Sequence, residues 1–99
     1  MLAFTPKERM FDLQGRPYFL WDCDLTDAQF RALLVNQDRA VRAYAISKLM
    51  RQAKPDDVFQ YVTLDTVLEH WDALQSNLGR ERAFWNWIVP KWVEARGAK

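Results

Sequence analysis

The residues of this chain that could carry out chemistry are few and lie far apart in the sequence. His70 is the only histidine, and its neighbours Glu69 and Asp72 do not complete the three or four ligands that a metal site usually requires. We therefore expect a histidine that is either hydrogen-bonded or solvent-facing. Cys23 is the only cysteine, which excludes an internal disulfide and a cysteine metal cage.

The acidic residues and the glycines also suggest ordinary structural roles. Asp56 and Asp57 follow a proline and could attract a cation, but acids in that place are typical of the first turn of a helix. Gly15, Gly79 and Gly97 are too widely spaced to form a phosphate-binding loop. The sequence predicts no catalytic residue, no cofactor and no metal site, and hence a protein that is not an enzyme.

Composition indicates a single globular domain. Of 99 residues, 49% are apolar and 27% are charged, which suits one chain folded around one core. A formal net charge of +1 gives no general attraction to nucleic acid or to membranes. The first residues lack a signal-peptide pattern, and no segment approaches the roughly 20 apolar residues of a membrane span. We therefore expect a cytoplasmic protein.

Capping signals and periodicity predict an all-α fold. It would be a compact bundle of about five short helices over residues 25–96, preceded by an irregular or extended N-terminal arm over residues 1–24. Thr26 and Gln29 have the spacing of a capping box, which begins a helix over about 27–35. Later helices are expected over about 39–53, 55–62 and 64–75, and a last one after Gly79. Pro90 should kink that last helix or restart it.

The arm contains the crowded apolar segment "YFLW", which directly follows Pro17. Proline favours extended backbone around it, and an extended segment places alternate side chains on opposite sides. A segment that is apolar on both sides is usually covered on both sides. We therefore predict that Phe19 and Trp21 fill the core, and the alternative is an exposed recognition strip.

An arginine in the second predicted helix suggests how the arm is attached. Arg42 falls in the middle of the apolar side of that helix, where an unpaired charge would be strongly destabilising. Asp22 or Asp24 could supply its carboxylate partner and tie the arm to the helix. Alternatively, Arg42 reaches water from a partly open face.

Basic residues are concentrated in two parts of the chain and separated by an acidic segment. Helical projection places Lys48, Arg51 and Lys54 opposite the apolar side of the second helix, and it leaves Trp87 off the apolar stripe of the last helix. We predict that these four residues bind a partner. The alternative is that neighbouring helices simply have complementary surfaces.

Four segments of the chain, covering about residues 17–88, resemble a group of small all-helical bacterial proteins. The segments read "RPYFLWDCDLT", "DRAVRAYAISKLM", "DDVFQYVTLD" and "RAFWNWI". The residues that match the pattern of the group are Phe19, Leu20, Trp21, Asp22, Asp24, Arg42, Ile46, Leu49, Asp57, Tyr61, Thr63, Leu64 and Asp65. Phe59 stands where the group more often has tryptophan, and Cys23 where it often has an aromatic or aliphatic residue.

Members of that group are often encoded beside nucleotidyltransferase-like toxins of the abortive-infection type. The resemblance therefore implies a non-enzymatic protein-interaction module, either an antitoxin or an accessory partner of such a toxin. It assigns no binding residue. The alternative function is a small nucleic-acid-binding or regulatory module, for which the basic helix face would be the contact surface.

Overall fold

The computed structural model describes residues 3–97, whose regular secondary structure is helical apart from one isolated bridge between Phe11 and Pro17. Two short 3-10 helices, Tyr18–Leu20 and Gly79–Glu81, lie between α-helices. The α-helices of this part of the chain are α1 Lys7–Met10, α2 Asp27–Leu34, α3 Arg39–Gln52, α4 Pro55–Val58, α5 Leu64–Glu69, α6 Trp71–Gln75 and α7 Arg82–Gly97. The predicted all-α class is confirmed.

Local capping patterns set where three of these helices begin. Thr26 and Gln29 form the predicted capping box, in which each side chain accepts a hydrogen bond from the other residue's backbone N–H. The Asp38 carboxylate accepts from the backbone of Ala40 at the start of α3, and Thr63 caps α5 in the same way. These patterns act over only a few residues, so the sequence predicts them well.

The helix predicted over 64–75 is divided at His70. The backbone N–H of His70 lies 3.3 Å from the Thr66 carbonyl oxygen, and the Nδ1 atom of the imidazole lies 2.8 Å from the same oxygen. Side chain and backbone thus share one acceptor, and α6 begins anew at Trp71. In contrast, α7 continues through the exposed Pro90, so the helix does not restart there as one of the sequence alternatives held.

The central element is α3, which packs against α2, α4, α6 and both 3-10 helices. Its predicted apolar side is buried at Ala45, Ile46, Leu49 and Met50, whereas Val41 is only partly buried. However, Ser47 and Lys48 are buried too, at 0% and 5% exposure, although projection placed them on a solvent-facing side. The 3-10 helix Tyr18–Leu20 packs on α3, and only part of the polar side that the sequence suggested, including Arg51, remains exposed.

Aromatic side chains from several elements complete the core. Phe19 packs edge to face against Phe30 of α2, with ring centroids 5.5 Å apart. Trp85 of α7 is completely buried, and its indole Nε1 donates a hydrogen bond over 2.9 Å to the Met50 carbonyl at the carboxyl-terminal part of α3. The core therefore connects the arm to α2 through Phe19, and it connects α7 to α3 through Trp85.

The arm is compact rather than extended around its aromatic segment. Phe19 is buried, as predicted, but Trp21 is 76% exposed, so its predicted role in the core is wrong. The reason is the 3-10 helix Tyr18–Leu20, whose turn of about three residues replaces the two-residue alternation of a strand. Phe19 and Leu20 point inward in this turn, and Trp21 follows it on the outside.

Candidate interaction surface

The predicted partner-binding residues do not form one exposed strip. Arg51 and Lys54 are exposed, and Trp87 is 57% exposed. Lys48 is buried, and its Nζ atom donates a hydrogen bond over 2.8 Å to a carboxylate oxygen of Asp22. Lys48 is therefore not part of the candidate surface, because its ammonium group already forms an ion pair with Asp22 within the fold.

The pair formed by Lys48 and Asp22 joins the arm to α3. Gln52, one turn further along α3, donates to the other carboxylate oxygen of Asp22 and to the carbonyl of Phe19. The hydrogen bond from Lys48, followed by the one from Gln52, holds the pKa of Asp22 below its usual range. The arm is thus tied to α3 by Lys48, and the prediction that Arg42 has this role is wrong.

Arg42 instead pairs with His70. Its Nε–H donates over 3.2 Å to His70 Nε2, and its terminal nitrogen donates to the carbonyls of Asn36 and Gln37. Because Nε2 is an acceptor, the ring proton lies on Nδ1 and is donated to Thr66. His70 is 1% exposed and satisfied at both nitrogens, which confirms the hydrogen-bonded alternative for this histidine.

Asp24, the other predicted partner of Arg42, lies on the surface. It forms an ion pair over 3.0 Å with Arg16, and its side chain is 92% exposed. Arg16 also pairs with Asp12, whose carboxylate accepts hydrogen bonds from the backbone of Gln14 and of Arg16 itself. Gly15 completes this turn with a φ of 78°, a conformation that glycine adopts without strain.

A buried carboxylate anchors the beginning of the arm. Asp57 is completely buried at the start of α4 and accepts hydrogen bonds from the backbone and hydroxyl of Thr5. It also accepts from the Tyr18 hydroxyl and from the Gln60 side chain. Next to it, Asp56 accepts a hydrogen bond from the backbone of Ala3. The acids expected to serve only the start of a helix therefore also bind the arm.

This arrangement changes the acidity of both partners. Burial raises the pKa of Asp57, but the hydrogen bonds from Thr5 and Tyr18 outweigh burial and hold it below its usual value. Burial, together with the hydrogen bond to the Asp57 carboxylate, raises the pKa of Tyr18 to about 12. Asp57 is therefore ionised and Tyr18 is neutral near pH 7.

The arm, anchored in this way, forms two adjoining hollows, which we call the arm trough. The larger hollow, of about 340 Å³, is lined by Arg9, Phe11, Asp12, Arg16, Pro17, Tyr18, Leu20, Trp21 and Cys23. The smaller one, of about 230 Å³, is lined by Thr5, Pro6, Arg9, Tyr18 and Lys54. Arg9 and Tyr18 line both hollows, so the two hollows adjoin at these two side chains.

Exposed aromatic and basic groups meet along the trough. Trp21 stands at one end, Lys54 lines the other, and Arg9 lies between them. Sequence reasoning missed Arg9 and Arg16 because the arm has no helical period on which to project them. The available signals were the glycine turn before Pro17 and the presence of arginines on both sides of it.

A third hollow, of about 290 Å³, is lined by no residue of the arm. It is formed between the end of α2 and the segment from α4 to α5, and it includes the exposed Val35. Its lining residues are Leu34, Val35, Phe59, Gln60, Tyr61, Val62, Thr63 and Thr66. No charged side chain lines it, so it offers a weaker basis for selective recognition than the arm trough.

Two further observations concern the described part of the chain as a whole. Across residues 3–97, no group of three or more histidine, cysteine, aspartate or glutamate side chains is placed to hold a metal ion. The same residues include no helix with the length and hydropathy needed to cross a membrane.

No protein-family model, curated protein or solved structure matches this chain.

Proposed function

We propose that this chain is a non-enzymatic protein-interaction module that binds its partner through the arm trough. The partner is a nucleotidyltransferase-type toxin, for which the chain acts as an antitoxin or an accessory subunit. The observation that carries the proposed surface is the position of Trp21, 76% exposed beside Arg9 and Arg16. Tryptophan and arginine are the residue types that most often dominate the energy of protein interfaces.

Trp21 is displayed by a firmly held backbone. The two residues before it are buried, and Asp22 after it is bound by Lys48 and Gln52. A side chain on such a fixed segment loses less conformational entropy on binding than one on a free loop. Burying an exposed tryptophan against a partner would then contribute most of its apolar area to affinity.

The choice of a toxin as partner rests on the resemblance of the four sequence segments. Several matching residues hold the arm in place in this chain: Phe19 lies in the core, Asp22 binds Lys48, and Asp57 binds Tyr18. Part of the pattern shared with the resembling proteins is therefore a set of residues that holds the arm in place. This supports a function in which presentation of the arm matters.

Co-expression with the co-encoded toxin tests the proposal. Trp21→Ala is expected to lose both toxin neutralisation and co-purification while keeping the melting temperature of the wild type. Trp87→Ala is the matched control, because it removes another exposed tryptophan from a surface outside the trough. Loss of neutralisation in Trp87→Ala but not in Trp21→Ala would indicate that the contact surface lies on α7 instead.

Nucleic-acid binding is the competing function, and one measurement separates the two. Exposed Lys54 and Arg9 would contribute to a phosphate contact, but the carboxylate of Asp12 lines the larger hollow. A gel shift with DNA or RNA that weakens steeply with salt, and no toxin bound by the purified protein, would favour the competing function.

A further inference from the structure

We infer that the arm trough binds a short segment of the partner that combines acidic with apolar side chains. This inference rests on the proposed function, since it specifies the chemistry of the partner at the same surface. It is carried by the side chains of the two hollows, since the smaller one is lined by two cations without internal partners and the larger one by the exposed Trp21.

The basic end consists of two cations that lack internal partners. Arg9 and Lys54 both line the smaller hollow, and both are exposed. Among the contacts of residues 3–97, neither side chain forms an ion pair or donates a hydrogen bond, and the same is true of Lys7, Arg51 and Arg80 outside the trough. Two neighbouring unpaired cations favour a carboxylate on the incoming segment.

The other end of the trough suits an apolar side chain. Phe11, Leu20 and Trp21 line it. Leu20 is buried, whereas Trp21 is exposed. The charge of Arg16 at this end is balanced internally, because Arg16 bonds to the carboxylates of both Asp12 and Asp24. A ligand therefore gains little here from further charge but gains from covering the exposed Trp21 ring.

The same contrast argues for a peptide over a nucleic acid. A nucleic-acid strand carries one phosphate per nucleotide, so its charge is uniform along the whole trough. At the Trp21 end such a strand would place a phosphate beside the Asp12 carboxylate, which lines the larger hollow. A peptide can place its carboxylate at Arg9 and Lys54 and an apolar side chain at Trp21, and so avoids this repulsion.

Selection from a random-peptide phage library tests the inference. Peptides that bind the wild-type protein should be enriched in Asp or Glu together with apolar residues. The double variant Arg9→Glu with Lys54→Glu should bind these peptides about tenfold or more weakly, since each reversal replaces an attraction by a repulsion. Selection on this variant should instead enrich peptides with Lys or Arg.

The matched control is Arg80→Glu with Lys91→Glu, which changes the net charge by the same amount at exposed positions outside the trough. It should bind the selected peptides as the wild type does. Equal weakening in this control, enrichment without acidic residues, or no enrichment at all would overturn the inference. A thymidine homopolymer that displaces the selected peptides from the wild type, but not from the Arg9 and Lys54 variant, would also overturn it.

Failure of the inference is distinguishable from failure of the proposed function. If the variant with both Arg9 and Lys54 reversed still binds and neutralises the toxin while Trp21→Ala does not, the trough remains the contact surface. The acidic character assigned to the partner segment would then be wrong. If Trp21→Ala also retains full binding, the proposed surface itself is wrong.

Discussion

The Tyr18 hydroxyl donates a hydrogen bond over 2.6 Å to a carboxylate oxygen of the buried Asp57, 39 residues further along the chain. The same hydroxyl accepts a hydrogen bond over 2.8 Å from the backbone of Lys54, just before α4. Tyr18 thus bridges the arm and the beginning of α4 through one oxygen atom. Both ends of the arm trough depend on this bridge, because Tyr18 lines both hollows.

Replacement of Asp57 should release the beginning of the arm. In Asp57→Asn an amide donor faces a site where Thr5, Tyr18 and Gln60 already supply donors, so we expect a loss of about 2–4 kcal/mol in the free energy of unfolding. Urea denaturation measures this loss. Asp56→Asn is the control and should change stability by less than about 1 kcal/mol, because the partly buried Asp56 accepts only from Ala3 within residues 3–97. Equal stabilities of the two variants would contradict the role of Asp57.

The same carboxylate should make stability depend on pH in acid. The pKa of Asp57 in the folded protein lies below its ordinary value of 3.8, so the unfolded chain binds the proton more readily. The contribution of Asp57 is therefore complete above the unfolded pKa and is lost as pH falls through the folded pKa. Between about pH 5 and pH 2, the unfolding free energy of the wild type should decline more steeply than that of Asp57→Asn. Parallel declines would show that Asp57 contributes nothing to the acid dependence.

Phe19 and Trp21 should differ sharply in their effect on stability. Phe19→Ala leaves a cavity among Tyr18, Phe30 and Tyr61, whose rings pack against it, and should cost about 3–5 kcal/mol. Trp21→Ala removes an exposed side chain and should cost less than about 1 kcal/mol. Thermal melting of the two variants provides the comparison. A large loss of stability in Trp21→Ala would mean that its ring is packed in the core.

The pair of Lys48 and Asp22 should show thermodynamic coupling. Asp22→Ala leaves the buried Lys48 ammonium without a carboxylate, so it should destabilise the protein more when Lys48 is present than in a Lys48→Met background. We expect a coupling energy of about 1–2 kcal/mol from a double-mutant cycle. Arg42→Met combined with Asp22→Ala is the control cycle, and it should be additive because Arg42 contacts His70 instead. Coupling in the control cycle alone would restore the pairing predicted from the sequence.

The sequence predicted those parts of the fold that depend on neighbouring residues. The capping box at Thr26 and Gln29 needs only a short segment, and the buried side of α3 follows from helical period, so both were predictable. The ion pairs were not, because Arg42 and Lys48 lie on the same helix, and their partners depend on which element covers each side of it. Projection assumed that the basic side of α3 faces water, whereas the arm covers Lys48.

The candidate surface was harder to predict than the fold. Whether Trp21 is buried or exposed depends on whether residues 18–20 form a strand or a 3-10 turn, and Pro17 is compatible with both. The tertiary contact of Tyr18 with Asp57 helps fix that turn, and such long-range contacts leave no periodic signal in the sequence. Two exposed residues, Arg51 and Lys54, were correctly placed on the surface, but only Lys54 lines the trough.

NMR titration of the labelled protein with the purified toxin proposed as its partner shows whether that partner contacts the arm trough. We expect the largest changes in chemical shift at Arg9, Arg16, Trp21 and Lys54, including the indole N–H of Trp21. The indole N–H signal of Trp87 should remain nearly unchanged and serves as the internal reference for α7. If the largest changes occur at Trp87 and the signals of the trough residues do not change, the partner contacts α7 and not the arm trough.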